Sequence, residues 1–585
     1  MSHWKVGAPR LGSRRTLAAL ALLAVGVFVA ARSAGTGGAV PPPPPPPGPR
    51  PLGATDDAYA TGNVGTLAVD VAHGVLANDT GGGLQIVSHT DPSHGSLTLQ
   101  PDGSLGYVPQ AGFTGDDTFT YTITNAVHLY STDLPSLGTF GGVSLSAGAF
   151  GSSLYPASPG AGGPPAPPAP AGPSSAPGAS QLFYGLEDRG PNVSPASGLF
   201  DVEPIPTYDP SIALFRFDGA TATLLKTIPL QDASGHPYSG LVNSLNSTGE
   251  TIEDLNGHVL AQDPNGYDPE GLVALRDGTF WVSDEYGPFV THFNAQGRQI
   301  GRLSPFDGTL PAELRFRVPN RGLEGLTITP DGKTLVAMMQ SSLQQTDLNG
   351  SNAKKLVPLR VVTIDLHTGA LHEYLYLLHD PATTSTAVSE ITALTSTTFL
   401  VDERDGNFPG AGVYKKLWKI DLSGATDVGP SSPLIGSNGF TYDGTSGGLE
   451  LNGATIEKTV KGENTAQAQA TLLADGITPV PETLFLDVDG LLGSLDSQYR
   501  FFSHDKVEGV AALQDANEIV ISNDSDFGIS GVASGPPFLL QEKVSPATGK
   551  QDDGEYLAID MSKVTGQTSV QTKTATVTIH VTSSP

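Results

Sequence analysis

The chain has 585 residues and a formal net charge of −28, from 59 acidic and 31 basic side chains. That balance excludes nucleic acid as a partner, because phosphate backbones demand a basic surface. With no cysteine there are no disulfides, thiolate metal centres or lipoprotein anchor, and 71 Gly and 48 Pro fit a turn-rich β protein of several domains.

Residues 1–34 read as an export signal. Lys5, Arg10, Arg14 and Arg15 precede an apolar run from Leu17 to Ala31, with small residues after it. Ser13-Arg14-Arg15-Thr16-Leu17 also fits a twin-arginine signal. Ordinary secretion and an uncleaved anchor stay open, although the run is short for a membrane span, which needs about 20 residues. The expected location is periplasmic, secreted or on the cell surface. Residues 35–51 are a Pro-rich spacer, with the run Pro41–Pro47 stiff and extended.

Residues 52–126 read as a small β-sandwich. Leu97, Leu99, Leu105, Tyr107, Phe119, Tyr121 and Ile123 fall in short strands broken by Gly, Pro and Asp, and the pairs are spaced by two. Gly74-Val75-Leu76-Ala77-Asn78-Asp79 and the run from Gly112 to Tyr121, GFTGDDTFTY, resemble bacterial cadherin-like (Ig-like) surface repeats. Asp56, Asp57, Asn78 and Asp79 are oxygen donors of the kind Ca²⁺ takes, and such residues also simply make turns. A final strand is missing after TFTYTITN. Thr572–Val581, TKTATVTIHV, alternates Ala575, Val577, Ile579 and Val581 with polar residues, as a half-buried strand does. We therefore expect residues 569–585 to complete the sandwich, with everything between inserted into its last hairpin. The alternative is that this strand closes or edges the inserted domain.

The insertion, residues 137–566, reads as a β-propeller. Four segments repeat a Glu, an apolar strand, a turn and a second apolar strand, beginning at Glu270, Glu324, Glu390 and Glu508. In the first of them, Asp277-Gly278 sits between two apolar runs, a strong hairpin signal. Each segment is followed by a further strand-turn-strand, including Glu555–Gly566 after the last, so each unit has the four strands of a propeller blade. A first blade begins near Phe150–Leu154, with Ser153 in the Glu position, and Pro156–Ser180 is a long loop within it. The wide spacing from Glu390 to Glu508 points to a degenerate blade within residues 430–505. That makes six blades, with five or seven as alternatives; Ala454–Gln498 is more helix-like in composition. The fold class expected is all-β, a six-bladed propeller inserted into an Ig/cadherin-like sandwich.

First strands of blades line the central channel, so the repeated glutamates should converge. Leu186-Glu187-Asp188-Arg189-Gly190-Pro191-Asn192, Asp268-Pro269-Glu270-Gly271-Leu272, Arg321-Gly322-Leu323-Glu324-Gly325, Glu403-Arg404-Asp405, Lys506-Val507-Glu508-Gly509 and Asn523-Asp524-Ser525-Asp526-Phe527-Gly528 resemble the bacterial phytase-like family with esterase-like activity. The resemblance covers residues 137–562 and implies hydrolysis of an ester or phosphoester.

The residues themselves suggest a cation. Glu270, Asp284, Glu285, Glu324, Glu390, Asp402, Glu508, Asn523, Asp524 and Asp526 are all oxygen ligands. Crowded carboxylates repel unless neutralised, and calcium is the divalent cation that takes such a set. Arg189, Arg321, Arg404 and Lys506 recur beside these acids, either to hold a substrate anion or to brace the blades. Glu270, Glu324, Glu508 and His504 are the catalytic candidates, His504 as a general base. Gly444-Thr445-Ser446-Gly447-Gly448 matches a nucleophile elbow by chance, lacking the strand before and helix after it. The expected function is an exported metal-dependent esterase or phosphomonoesterase acting on a small-molecule ester. The other reading is a non-catalytic surface module binding a glycan or a protein.

Overall fold

The computed structural model describes residues 50–157, 181–245, 249–445 and 447–583. The expected export signal, most of the Pro-rich spacer and nearly all of the loop within the first blade lie outside the described residues. Among the described residues no helix is long and apolar enough to cross a membrane.

The sandwich has two sheets. β1 (Asp57–Gly62), β6 (Gly115–Thr124) and β3 (Gln85–His89) share one sheet with the C-terminal strand Lys573–Thr582. β2 (Leu67–Val69), β5 (Leu105–Pro109) and β4 (Gly95–Leu99) form the other. The C-terminal strand lies between β1 and β6, antiparallel to β6 with Val577 opposite Phe119 and Ala575 opposite Tyr121. Its alternate residues Ala575, Val577, Ile579 and Val581 are buried with Phe119, Tyr121 and Ile123 in one core. Period-two burial of this kind pins the register, because a slip of one residue would expose the whole set.

After β6 the chain does not turn back. It runs through Asn125 and Ala126 into β7 (Val127–Thr132), which leaves the sandwich and joins the propeller. The propeller therefore begins at Val127, not at residue 137. β7 pairs antiparallel with Glu555–Asp560 and becomes the outermost strand of the last blade. The expected occupant of that place is a hairpin over Glu555–Gly566. Instead Val564–Thr565 turns away to pair with Ser569–Val570. Strands from opposite ends of the inserted segment thus meet side by side, so the ring closes without straining the host.

Among the described residues five blades make the ring, not six. Their first strands are Ser153–Pro156, Pro269–Ala274, Leu323–Ile328, Ala387–Ala393 and Lys506–Leu513, each touching the next and the last touching the first. The expected extra blade is absent because residues 422–481 are an excursion between the third strand of blade four, Lys415–Asp421, and its fourth, Glu482–Asp487. The excursion carries a three-stranded ribbon and the helix Thr465–Ala474, which Asn464 and Gln467 start with a capping box. Its apolar residues, Phe440, Leu449, Ile456 and Leu472 among them, pack on Leu375 and Leu377 of blade three.

The Glu-Gly pairs have a steric cause. The first strands of blades two, three, four and five all carry a register shift at or beside their glutamate. A Cβ on Gly271 would lie 2.5 Å from the backbone N of Leu326, and one on Gly325 2.6 Å from that of Ile391. Gly509 likewise faces Leu154 N at 2.7 Å. Glycine lets neighbouring first strands approach this closely, and the bulge re-aims the preceding glutamate.

Candidate functional site

One end of the channel opens into a cavity of about 500 Å³. The bulged strands deliver Glu270, Glu324 and Glu508 to its wall, and Asp188, Asp268 and Glu285 arrive from adjoining strand ends and loops. Glu270, Glu324 and Glu508 are all under 10% exposed. Asp268, Glu270 and Glu285 each offer an oxygen within 4.8 Å of the others'. Buried oxygens of Glu285 (Oε1) and Glu324 (Oε2) receive no hydrogen bond from the described residues.

Burial, and then the mutual repulsion of these acids, pushes their pKa values up. Glu270 stands well above the ordinary glutamate range, first through desolvation and then through Glu324, Asp268, Glu285 and Glu508. Glu324 does so too, from burial and then from Glu285 beside it. Burial lifts Asp268 to about 8, with the Arg189 guanidinium opposing. Burial lifts Glu508 to about 7, against the pull of Arg404. Carboxylates so crowded must keep protons or take up a cation, and an all-oxygen set fits a hard divalent ion.

Most of the basic residues at the cavity are already engaged. Arg189 donates to the Tyr286 hydroxyl at 2.6 Å and to Asn192 Oδ1 at 2.6 Å. Arg404 donates to Ser389 Oγ at 2.9 Å and makes a short contact with Glu508 Oε1. Lys506 sits between Asp524 at 2.7 Å and Asp526 at 2.5 Å, and Lys543 holds the far oxygen of Asp526. Arg321 differs. It lines the cavity half-buried, and its guanidinium has no hydrogen bond or ion pair among the described residues. Lys354 lines the same cavity and is equally unengaged.

Five of the expected site residues lie elsewhere. Asp284 is used up in a loop, accepting from the backbone N–H groups of Asp268, Tyr286 and Gly287. Glu390 lies in an apolar stretch of the channel among Leu154, Leu272 and Ile391, where Ser153 Oγ donates to it at 2.5 Å. Asp402 is fully buried and does not line the cavity; its neighbouring cations are Arg404 and Lys415. Asn523 accepts from Glu555 N and donates to Asp553 O, bracing blade five. His504 does not line the cavity. Its Nδ1 lies 2.6 Å from Asp552 and its Nε2 3.0 Å from Glu555, and these two carboxylates outweigh burial and raise it to about 10. An imidazolium holding both protons accepts none.

Asp188, Asp268 and Lys354 also line the cavity and are not in the expected set. Asp268 and Asp188 stood in motifs already singled out, two residues before Glu270 and one before Arg189. Lys354 lies in a polar connection between strands and gave no signal.

The family model described as phytase-like, esterase-like activity of phytase, matches residues 175–527. The chain belongs to the phytase-like family. A bacterial Ig domain matches residues 49–133, which hold β1 to β7 but not the C-terminal strand. An uncharacterized secreted protein of the fungus Arthroderma benhamiae is 31% identical over 242 residues, covering 33% of this chain and 47% of that protein. The chain thus spans about half the length of this curated relative. Among solved structures, the Dos1 propeller is 11% identical, with 83% of this chain and 97% of that one covered at a TM-score of 0.25. The Cps50 (Swd1) β-propeller domain of Myceliophteria thermophila is 10% identical, with 47% and 70% covered at a TM-score of 0.20.

Proposed function

We propose that this phytase-like chain is an exported hydrolase of small phosphate or carboxylic esters, working with a divalent cation in the propeller cavity. Calcium suits the donor set best. The observation that carries this reading is the Asp268, Glu270 and Glu285 trio, with oxygens within 4.8 Å of one another, in the same cavity as the unengaged Arg321. Asp268, Glu270 and Glu285 would hold the cation. When bound, it supplies polarisation of the ester oxygen and a more acidic water. Arg321 and Lys354 bind the anionic oxygens of the substrate. Glu508, at about 7, is poised to take up or release a proton near neutrality, and Arg404 fixes its carboxylate in place. Glu324, raised by burial and then by Glu285, would keep its proton beside the trio. The secreted fungal relative supports export.

A second reading, a surface module binding a glycan or protein, is favoured by the Ig domain that runs directly into the ring through β7. Hydrolysis of a panel of aryl phosphates and short acyl esters, with and without chelator, separates the two. Turnover that chelator abolishes and calcium restores supports the hydrolase; silence across the panel supports the binding module.

A further inference from the structure

Away from the cavity, one buried cluster has more carboxylates than counter-charges. Glu313 lies on the short turn Ala312–Phe316, Glu373 on the fourth strand of blade three, Leu371–Leu377, and Glu457 on the helix Ile456–Thr459 of the 422–481 excursion. All three are 0% exposed. Arg360 of blade three is the cation among them, its Nη1 2.9 Å from Glu457 Oε1. The Tyr442 hydroxyl of the excursion has one proton to give, and it faces both oxygens of Glu313 at 3.2 and 3.1 Å.

Glu373 is left over. Neither of its oxygens receives a hydrogen bond from a donor group among the described residues. The side chain it meets at hydrogen-bonding range is another acid, Glu313. The excursion closes over this pair. A Cβ on Gly448 would lie 2.3 Å from Glu313 Oε1, and one on Gly429 2.9 Å from Glu373 N. Three buried carboxylates around one guanidinium cannot all ionise.

We propose that the buried Glu373 carboxyl keeps a proton that it gives to Glu313, and that this proton fastens the 422–481 excursion to blade three. The other charged groups around the pair are Arg360 from blade three, Glu457 and Tyr442 from the excursion, and Asp427. The last accepts from Glu373 N at 3.1 Å and is itself paired with His372 at 2.8 Å. Loss of the proton leaves three carboxylates facing one guanidinium out of contact with water. Burial first, and then Glu313, hold the Glu373 carboxyl well above the ordinary glutamate range. A carboxyl raised on folding stabilises the folded form fully below its unfolded value, and that contribution is lost as pH rises through the folded value. The latch is therefore tight in acid and released in alkali. Glu313 also stands close to the cavity in sequence. Its turn leads through Arg317 to Arg321, and Arg315 donates to Thr445 O of the excursion. None of this depends on the proposed hydrolysis.

Hydrogen–deuterium exchange of the full chain from pH 5 to pH 10, corrected for intrinsic rates, tests the latch in peptides covering 440–474. Protection there should fall by about tenfold or more as pH rises, a loss on the order of one pKa unit of linkage. In Glu373→Gln the amide is a permanent donor, so protection should become independent of pH. Glu313→Gln serves the same purpose if Glu373→Gln does not fold. Protection that is flat with pH in the unmodified chain overturns the proposal. So does protection restored at high pH by added calcium, which would put a metal ion in place of the proton.

Discussion

Tyr130, on the strand that leaves the sandwich, stands directly opposite Tyr556 on the third strand of blade five. Phe217 of blade one lies against both rings, with centroids 4.9 and 4.8 Å away. The strand that leaves the Ig domain is thus part of the seam that closes the ring. Replacing Tyr130 by Ala should cost about 3 kcal/mol, the usual loss for a buried aromatic, and the loss should fall on propeller unfolding. Urea denaturation followed through Trp281 and Trp418, both in the blades, checks this. A chain begun at residue 137 lacks the closing strand and should melt well below one begun at 126.

The C-terminal strand predicts the complementary result. Ile579→Ala should destabilise the sandwich by about 2–5 kcal/mol and leave the propeller transition in place. Removing residues 570–585 should unfold the sandwich alone. Two-transition calorimetry distinguishes these outcomes from a single cooperative loss.

Much of this architecture was legible because its signals are local. Val577 and Ile579 alternate with threonine and histidine, and only a half-buried strand asks for that. Glu270-Gly271, Glu324-Gly325 and Glu508-Gly509 repeat because at each glycine the neighbouring first strand comes too close for a side chain. Glu390 follows the same rhythm but precedes Ile391, and Ser153 holds its carboxylate in an apolar stretch of channel. β7 was missed because nothing in Val127–Thr132 names its partner, Glu555–Asp560, more than 400 residues away, whereas the sandwich announced its own missing strand. The sixth blade was an error of spacing. The long gap before Glu508 holds an excursion with its own small core, which spacing alone cannot tell from a worn blade. His504 looked like a free base because Asp552 and Glu555 reach it only in the folded chain.

The raised carboxyls of the cavity set a pH dependence. Asp268 at about 8 and Glu508 at about 7 lie above their unfolded values, so their contribution to stability is present below about 4 and is lost as pH rises through 7 and 8. Metal-free protein should therefore lose thermal stability across that window. Excess calcium should remove the loss, and its binding should release protons into a weak buffer. Melting curves at pH 6, 7, 8 and 9, with calcium and with chelator, provide the check.

Arg321 should act on substrate and not on the cation. Arg321→Ala is expected to raise KM for an aryl phosphate about tenfold, equivalent to about 1.4 kcal/mol, with bound metal unchanged. Arg321→Lys should recover part of the loss, since a point charge replaces a planar fork. A variant that loses metal and substrate together would place Arg321 in the support of the carboxylates instead.

The most direct test of the cavity as a cation site is calcium-binding calorimetry on the full chain and on Glu270→Gln. The unmodified chain should bind calcium, and Glu270→Gln should bind it at least about tenfold more weakly, or about 1.4 kcal/mol, with the same melting temperature in chelator. Equal calcium affinity in the two proteins, or none in either, would contradict the account.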